Sequence, residues 1–500
     1  MTPNDSLRPL PPSHRTVRRS RKRSAMYKRT IGWFLLGCML IGSLFILLAY
    51  IVDPLQLYHK PWFYKPVYLT EQRYQNPGLA KNYDYETIII GTSMTENFFP
   101  SKVEEAIGGK TMKLSFRGSY ANEQYKMAKL AIETGKAKTV LWGLDYFALK
   151  SDTDGDAFPH YLYDRIFLND YRYWFNYTPY EQLIKGLVRQ YRTGHVQGLE
   201  GLYNWNFMVK FGEDVTIRHY RKALVEEAAH GPEDSLEAVQ ASFRKNVLSL
   251  VEAYPDVKFL IYYPPYSILR HVVWRETNPE RYENQLLMKE WMYEQLSGYP
   301  NVEVYDFQTE ADWTFHLDYY KDMSHHHQNI NTWIAQAIGR RDPKYLVTAD
   351  NVRGFVEELR RQVDEAAVSD DDRLFRVRVW LEDGGGRVPL SFGAMMIGES
   401  GGLRVSAKEL ADLLGAELEW DQEAKRLLLA AGGRSFELTV DETTALANGE
   451  TIALSDPARL IGGKTYVPLG DTLAVFGWEA SRSDLGEREF EVVLKAPGQR

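Results

Sequence analysis

Apolar positions along this chain follow three different rhythms. The first is an unbroken run at 31–52, IGWFLLGCMLIGSLFILLAYIV, without a single charge. About 20 apolar residues in a helix cross a hydrocarbon core, so the run predicts one membrane-spanning helix, and nothing else in the sequence approaches that length. In the second, short apolar runs alternate with helical periodicity. Residues 87–90, 112–116, 139–143, 257–263 and 302–307 read as buried strands. Helical patterns occupy 101–107, 121–134, 278–297 and 329–338, the last with Ile330, Trp333, Ile334 and Ile338 on one face. Such alternation predicts an α/β fold, a parallel sheet covered on both sides with functional loops at the strand carboxyl ends. Residues 151–250 interrupt it with a helical, aromatic insertion that would pack beside or over the active edge. Most of its rings suit a subdomain core, and a few would line a carbohydrate- or acyl-binding cleft.

The third rhythm begins after a charged amphipathic helix at 349–368 and an acidic linker, Ser369-Asp370-Asp371-Asp372. Short strands, glycines and small helices follow, and they repeat. Gly401-Gly402-Leu403-Arg404-Val405 matches Gly463-Lys464-Thr465-Tyr466-Val467 at a shift of 62, and Leu413-Leu414-Gly415 matches Val475-Phe476-Gly477 at the same shift. The chain thus divides into a basic tail (1–30), the span (31–52), a juxtamembrane approach (53–82), an α/β domain (83–345), a helix with acidic linker (346–373) and a small α+β repeat domain (374–500).

Charge orients this plan. The net charge is -7, yet residues 1–30 hold nine basic residues against Asp5 alone and carry +8, which leaves the rest at -15. The positive-inside rule keeps the tail in the cytoplasm and sends the body outside, anchored uncleaved in the lipid bilayer because the apolar run is too long for a signal peptide. So acidic a body excludes nucleic acid as a partner, since phosphate neutralisation needs clustered Lys and Arg. With one cysteine, Cys38, there is no intrachain disulfide and no Cys-based metal site. Neither a cofactor nor a metal is expected. The side chains of His325-His326-His327 diverge along the backbone, so three in a row do not close on one ion.

The sharpest chemistry joins Gly91-Thr92-Ser93, just past the first strand, to Asp322-Met323-Ser324-His325 before the last helix. A serine hydroxyl needs a base, and a histidine oriented by a carboxylate supplies one. Ser93 is the candidate nucleophile, His325 the general base and Asp322 its orienter. This arrangement resembles the SGNH, or GDSL-like, hydrolase superfamily over about residues 83–345. Its Gly-Asp-Ser block stands here as Gly91-Thr92-Ser93, and its Gly-x-Asn-Asp block as Gly143-Leu144-Asp145-Tyr146. Gly118 fits the block that offers an amide to the oxyanion. The resemblance implies a three-layer, flavodoxin-like parallel sheet, with the Ser93 and Gly118 amides as oxyanion donors. An ionised Asp145 would repel the developing charge, so either Asp145 is protonated or a neighbour such as Asn122 donates instead.

The Thr92 and Asp145 departures, with the anchor, look more like a membrane-anchored branch of that superfamily, the alginate O-acetyltransferase and teichoic acid D-alanyl transfer type. That resemblance implies an acyltransferase or esterase acting on a cell-envelope polysaccharide or teichoic acid, beside a multi-spanning membrane acyltransferase. Residues 375–495 resemble the copper amine oxidase N-terminal-like, or stalk, domain of Gram-positive surface proteins, carried by GGKTYVPLGDTLAVFGWEASRSD and VSAKELADLLGAELEWDQEAKRLLL. Copper is not implied, since no histidine follows His327. The competing reading is a non-catalytic wall- or glycan-binding scaffold.

Overall fold

The computed structural model describes residues 14–150, 158–227, 235–383 and 385–498; the part of the basic tail before His14 lies outside them. His14–Val52 is one 39-residue helix. From Ala25 onward it is long and apolar enough to cross a membrane.

Five parallel strands follow: β1 (Thr87–Gly91), β2 (Thr111–Lys113), β3 (Thr139–Gly143), β4 (Lys258–Tyr263) and β5 (Val302–Asp306), in the order β2-β1-β3-β4-β5. Alternate side chains enter different layers, as strand geometry requires. Ile88, Ile90, Val140 and Trp142 meet the helices Ala121–Glu133 and Pro279–Leu296 on one face. Ile89, Leu141 and Leu260 meet Pro100–Ile107 and Gln328–Gly339 on the other. Both faces being covered explains why these strands read as continuous apolar runs.

At the strand ends two glycines pair, Gly91 with Gly143. A Cβ on Gly143 would lie 2.5 Å from Thr95 Cγ2 and 2.7 Å from the Tyr262 hydroxyl. Glycine is needed there for close approach, so that the turn after β1 can lie directly across the end of β3.

Three boundaries differ from the sequence expectation. The approach segment contains a helix, Gln72–Asn82, largely buried against Ala121–Glu133. The insertion ends before residue 250, because Leu236–Phe243 and the turns after it, up to Ala253, form the crossover into β4. Val239, Phe243, Val247 and Leu250 are wholly buried in the sheet's own core. Their helical spacing was masked by the aromatic-rich stretch before them.

The acidic linker is the third. Ala366–Ser369 is a buried strand, and Asp370 to Asp372 turn it back into Leu374–Asp383. Asp371 pairs locally with Arg373, but the charges on either side are answered at long range, Asp370 by the buried Arg404 and Asp372 by Arg221 at 2.8 Å. Partners so distant in sequence make a structured turn look like a solvated tether.

The C-terminal part holds a nine-stranded, mainly antiparallel sheet and a five-stranded antiparallel one. The two repeat units meet at Leu403–Ser406 and Lys464–Pro468, where Val405 pairs with Val467, Arg404 with Pro468 and Ser406 with Tyr466. Positions equivalent by the shift of 62 therefore face each other at the centre, and the units pair around an approximate two-fold axis.

Gly143→Ala is expected to lower the stability of the full chain by about 1–3 kcal/mol through overpacking, read as a lower thermal midpoint in detergent.

Candidate active site

The chain leaves β1 at Gly91, with φ +141, and enters a short 3₁₀ turn at Ser93–Thr95. Thr92 caps that turn, its hydroxyl accepting from the Met94 amide at 3.4 Å and donating to the Asp145 carboxylate at 2.6 Å. The last helix reaches over to hold the turn's far side, where Asn331 Nδ2 donates to the Met94 carbonyl at 3.0 Å. Behind it, the buried Lys113 ammonium donates to the carbonyls of Glu96 and Phe98 at 2.6 and 2.9 Å. Burial pushes the pKa of Lys113 down to about 7. Ser93 is thus positioned by backbone anchored to three elements, the kind of rigid support a preorganised site needs.

On this support the Ser93 hydroxyl lies 2.8 Å from His325 Nε2, and His325 Nδ1 lies 2.9 Å from Asp322 Oδ2. In the matching tautomer Ser93 donates to Nε2 and Nδ1–H donates to Asp322. Asp322 Oδ1 also accepts the Ser324 and His325 amides, each at 2.8 Å. Burial pulls the Asp322 pKa upward, but the His325 ring and these two amides outweigh it and hold the carboxyl well below the ordinary range. A three-residue spacing therefore yields carboxylate and imidazole as one preassembled turn. Ser93, 229 positions before Asp322 in the chain, is delivered to it by the sheet.

The other two histidines point away. His326 stands edge-on to Tyr320, and its burial presses its pKa down to about 3, while His327 caps the last helix through Nδ1.

The three oxyanion candidates part company. Asp145 is buried and engaged: its carboxylate accepts from Thr92 and, at 3.2 Å, from the Ala148 amide, capping Tyr146–Leu149. Burial raises its pKa, partly opposed by those hydrogen bonds. Asn122, near the start of its helix, accepts the Glu123 amide through Oδ1 at 2.9 Å. Gly118 occupies the turn after β2 at φ +57, a conformation that favours glycine. Among the described residues, neither its amide nor that of Ser93 donates to a backbone carbonyl.

Sequence reasoning did not single out Trp205, one aromatic among many in the insertion. Its ring stands edge-on to His325, 5.6 Å between centroids at 84°, and its indole N–H points to the Ser93 carbonyl at 3.4 Å. The Lys321 ammonium lies over the same ring at 4.5 Å and 3.8 Å from Asp322. Trp205 is itself held by Asn97, which accepts its amide at 3.1 Å. The insertion thus covers the histidine through one residue whose importance depends on tertiary placement.

Residues 386–485 match the family model of the copper amine oxidase N-terminal domain. Among solved structures, a chain described as a platelet activating factor from Streptococcus pneumonia is similar at 13% identity, over 61% of this chain and 98% of that one. Its TM-score is 0.27, an overlap too loose to define a shared fold. No curated protein matches the sequence.

Asp145→Asn removes the buried charge and, like the protonated acid, keeps one oxygen to accept the Ala148 amide while its Nδ2 donates to the Thr92 hydroxyl. Because the folded-state pKa of Asp145 is raised, wild-type stability falls as pH rises above the ordinary value of 3.8 toward the folded value. Thermal midpoints of the variant and the wild type should therefore coincide at low pH and separate as pH rises, with the variant the more stable.

Proposed function

We propose that the chain is a membrane-anchored, outward-facing serine acyltransferase or esterase of SGNH-like fold. Its substrates would be acetyl or D-alanyl groups of a cell-envelope polysaccharide or teichoic acid. The observation that carries this reading is the continuous hydrogen-bonded series Ser93, His325, Asp322. It stands beyond the carboxyl end of β1 in a sheet ordered 2-1-3-4-5, where doubly wound folds bind their ligands.

In this mechanism Ser93 Oγ attacks the acyl carbonyl carbon while its proton passes to His325 Nε2, and Asp322 stabilises the imidazolium. The carbonyl π electrons move onto oxygen, and the Ser93 and Gly118 amides, which among the described residues donate to no backbone carbonyl, are the donors for that oxyanion. Collapse breaks the bond to the donor alcohol, which leaves with the proton from His325. The acyl-serine is then attacked by an acceptor hydroxyl, or by water, whose proton returns through His325 to Ser93. Trp205 walls the imidazole from one side, and Lys321 adds a cation at the rim suited to an anionic polymer.

A non-catalytic glycan-binding scaffold is favoured by one observation: Asp145, where the superfamily's pattern has asparagine, is an acceptor engaged by Thr92. The two readings separate in one experiment. Full-length protein in detergent should be labelled by a fluorophosphonate probe and release p-nitrophenolate from its acetate ester. In Ser93→Ala labelling disappears, and ester turnover falls by about 10³-fold or more. Folded wild-type protein that takes no label and still binds glycan as well as Ser93→Ala would establish the scaffold reading.

A further inference from the structure

The junction between the apolar helix and the body is a built joint. Asp53, immediately after Val52, is buried and accepts the amides of Leu57, Tyr58 and His59 at 2.9, 2.7 and 3.0 Å. It also accepts the Tyr173 hydroxyl at 2.7 Å. Tyr173 belongs to Tyr171–Trp174, which packs directly on the apolar helix. Ala49 is fully buried there, beside Leu55, Tyr173 and Trp174. Four residues earlier, Phe45 meets Phe175 with ring centroids 5.7 Å apart.

These contacts fix the depth of the body. Counting from Ile31, just past Arg29, a hydrocarbon core of about 30 Å is filled by about 20 residues, that is, to about Tyr50. Phe45 lies some 8 Å short of that boundary at 1.5 Å per residue, so Phe175 and its neighbours must enter the membrane interface beside it. What the body presents there is apolar and uncovered: Ile166, Phe167, Tyr171 and Phe175 are exposed, and Leu168 is 80% exposed.

The next helix, Tyr177–Thr193, continues this surface. Tyr177, Ile184, Val188 and Tyr191 fall within about 60° of one another at 100° per residue, and all four are exposed, Tyr191 by 92%. Lys185, Arg189 and Arg192 flank that stripe on one side. The opposite side packs inward, with Leu183 buried and Gly186 against Val67. An exposed apolar stripe, a basic flank and a protein-facing back match a helix lying in the plane of an anionic membrane interface.

We propose that the surface formed by 166–177 and the helix Tyr177–Thr193 docks on the lipid bilayer, so that the body lies against the outer leaflet in addition to being anchored by its span. The inference goes beyond the acyl-transfer reading and is independent of it; it rests on His14–Val52 crossing the membrane. Lipid is the occupant because the patch is continuous with that helix, and because the cations bordering it complement acidic headgroups.

The test uses the full chain in liposomes of phosphatidylcholine and phosphatidylglycerol, carrying one nitroxide label at a time. Native Cys38 reports the span, while Leu168→Cys and Val188→Cys, each with Cys38→Ala, report the patch. Leu446→Cys in the C-terminal sheets, also with Cys38→Ala, is the aqueous reference. Labels at Leu168 and Val188 should collide with membrane-dissolved oxygen several-fold more, relative to a water-soluble nickel chelate, than the label at Leu446. If Cys38 is deep but both patch labels behave like Leu446, the docking is overturned. Patch labels shielded from both reagents would mean that protein covers the surface, which overturns the lipid assignment. A Cys38 label open to nickel removes the span itself, and the docking with it.

Discussion

The hydrogen bond from Thr92 to Asp145 joins the ends of two neighbouring strands, and the candidate site is arranged around it. Gly91 and Gly143 are paired partners in the sheet, so the residues just past them start side by side. The Thr92 hydroxyl and the Asp145 carboxylate then close the gap at 2.6 Å, each capping its own short helical turn as well. A buried carboxylate is unfavourable unless its oxygens find donors. Here Thr92 and the Ala148 amide supply them, and the desolvation that raises the Asp145 pKa makes that pairing stringent. Ser93, one residue on, inherits its place from this contact, while Asn331 and Lys113 remove the remaining freedom of the turn.

Much of this was legible in the sequence because it is local. Buried strands announce themselves as apolar runs, and Asp322 with His325 form their contact inside one turn, where spacing alone implies geometry. The strand-end position of Ser93 followed from the same alternation. What escaped was non-local. Trp205 matters through a contact with His325, 120 residues away, and nothing in its neighbourhood separates it from the other rings of the insertion. The aspartates at 370–372 looked like a tether because Arg404 and Arg221 are invisible to a local reading. Asp145 had the right position but an orientation that only the Thr92 hydroxyl decides.

The structured turn at 370–372 changes how the two halves relate. Ile217, Leu269 and Val272 of the α/β body share one apolar cluster with Leu359, Val368, Leu374 and Tyr466. Polar contacts ring it, among them Lys464 to Glu276 at 2.6 Å and Arg488 to Glu213 at 2.7 Å. The rim pairs contribute little individually, so the apolar cluster carries the association and the charges set its register. The C-terminal sheets are therefore built onto the body by a continuous core.

That shared core has a mechanical consequence. A catalytic head on a flexible leash samples a volume and can search for its substrate. Here the chain passes from the apolar helix through Asp53, held by Tyr173, into the body, and from the body through the paired strand Ala366–Ser369 into the last sheets. Ser93 is consequently held at a fixed place relative to the apolar helix, like a tool clamped to a bench. Under the proposed function, a polymer substrate would have to bring each residue to that place by its own bending, and only the stretch that passes there would be worked on.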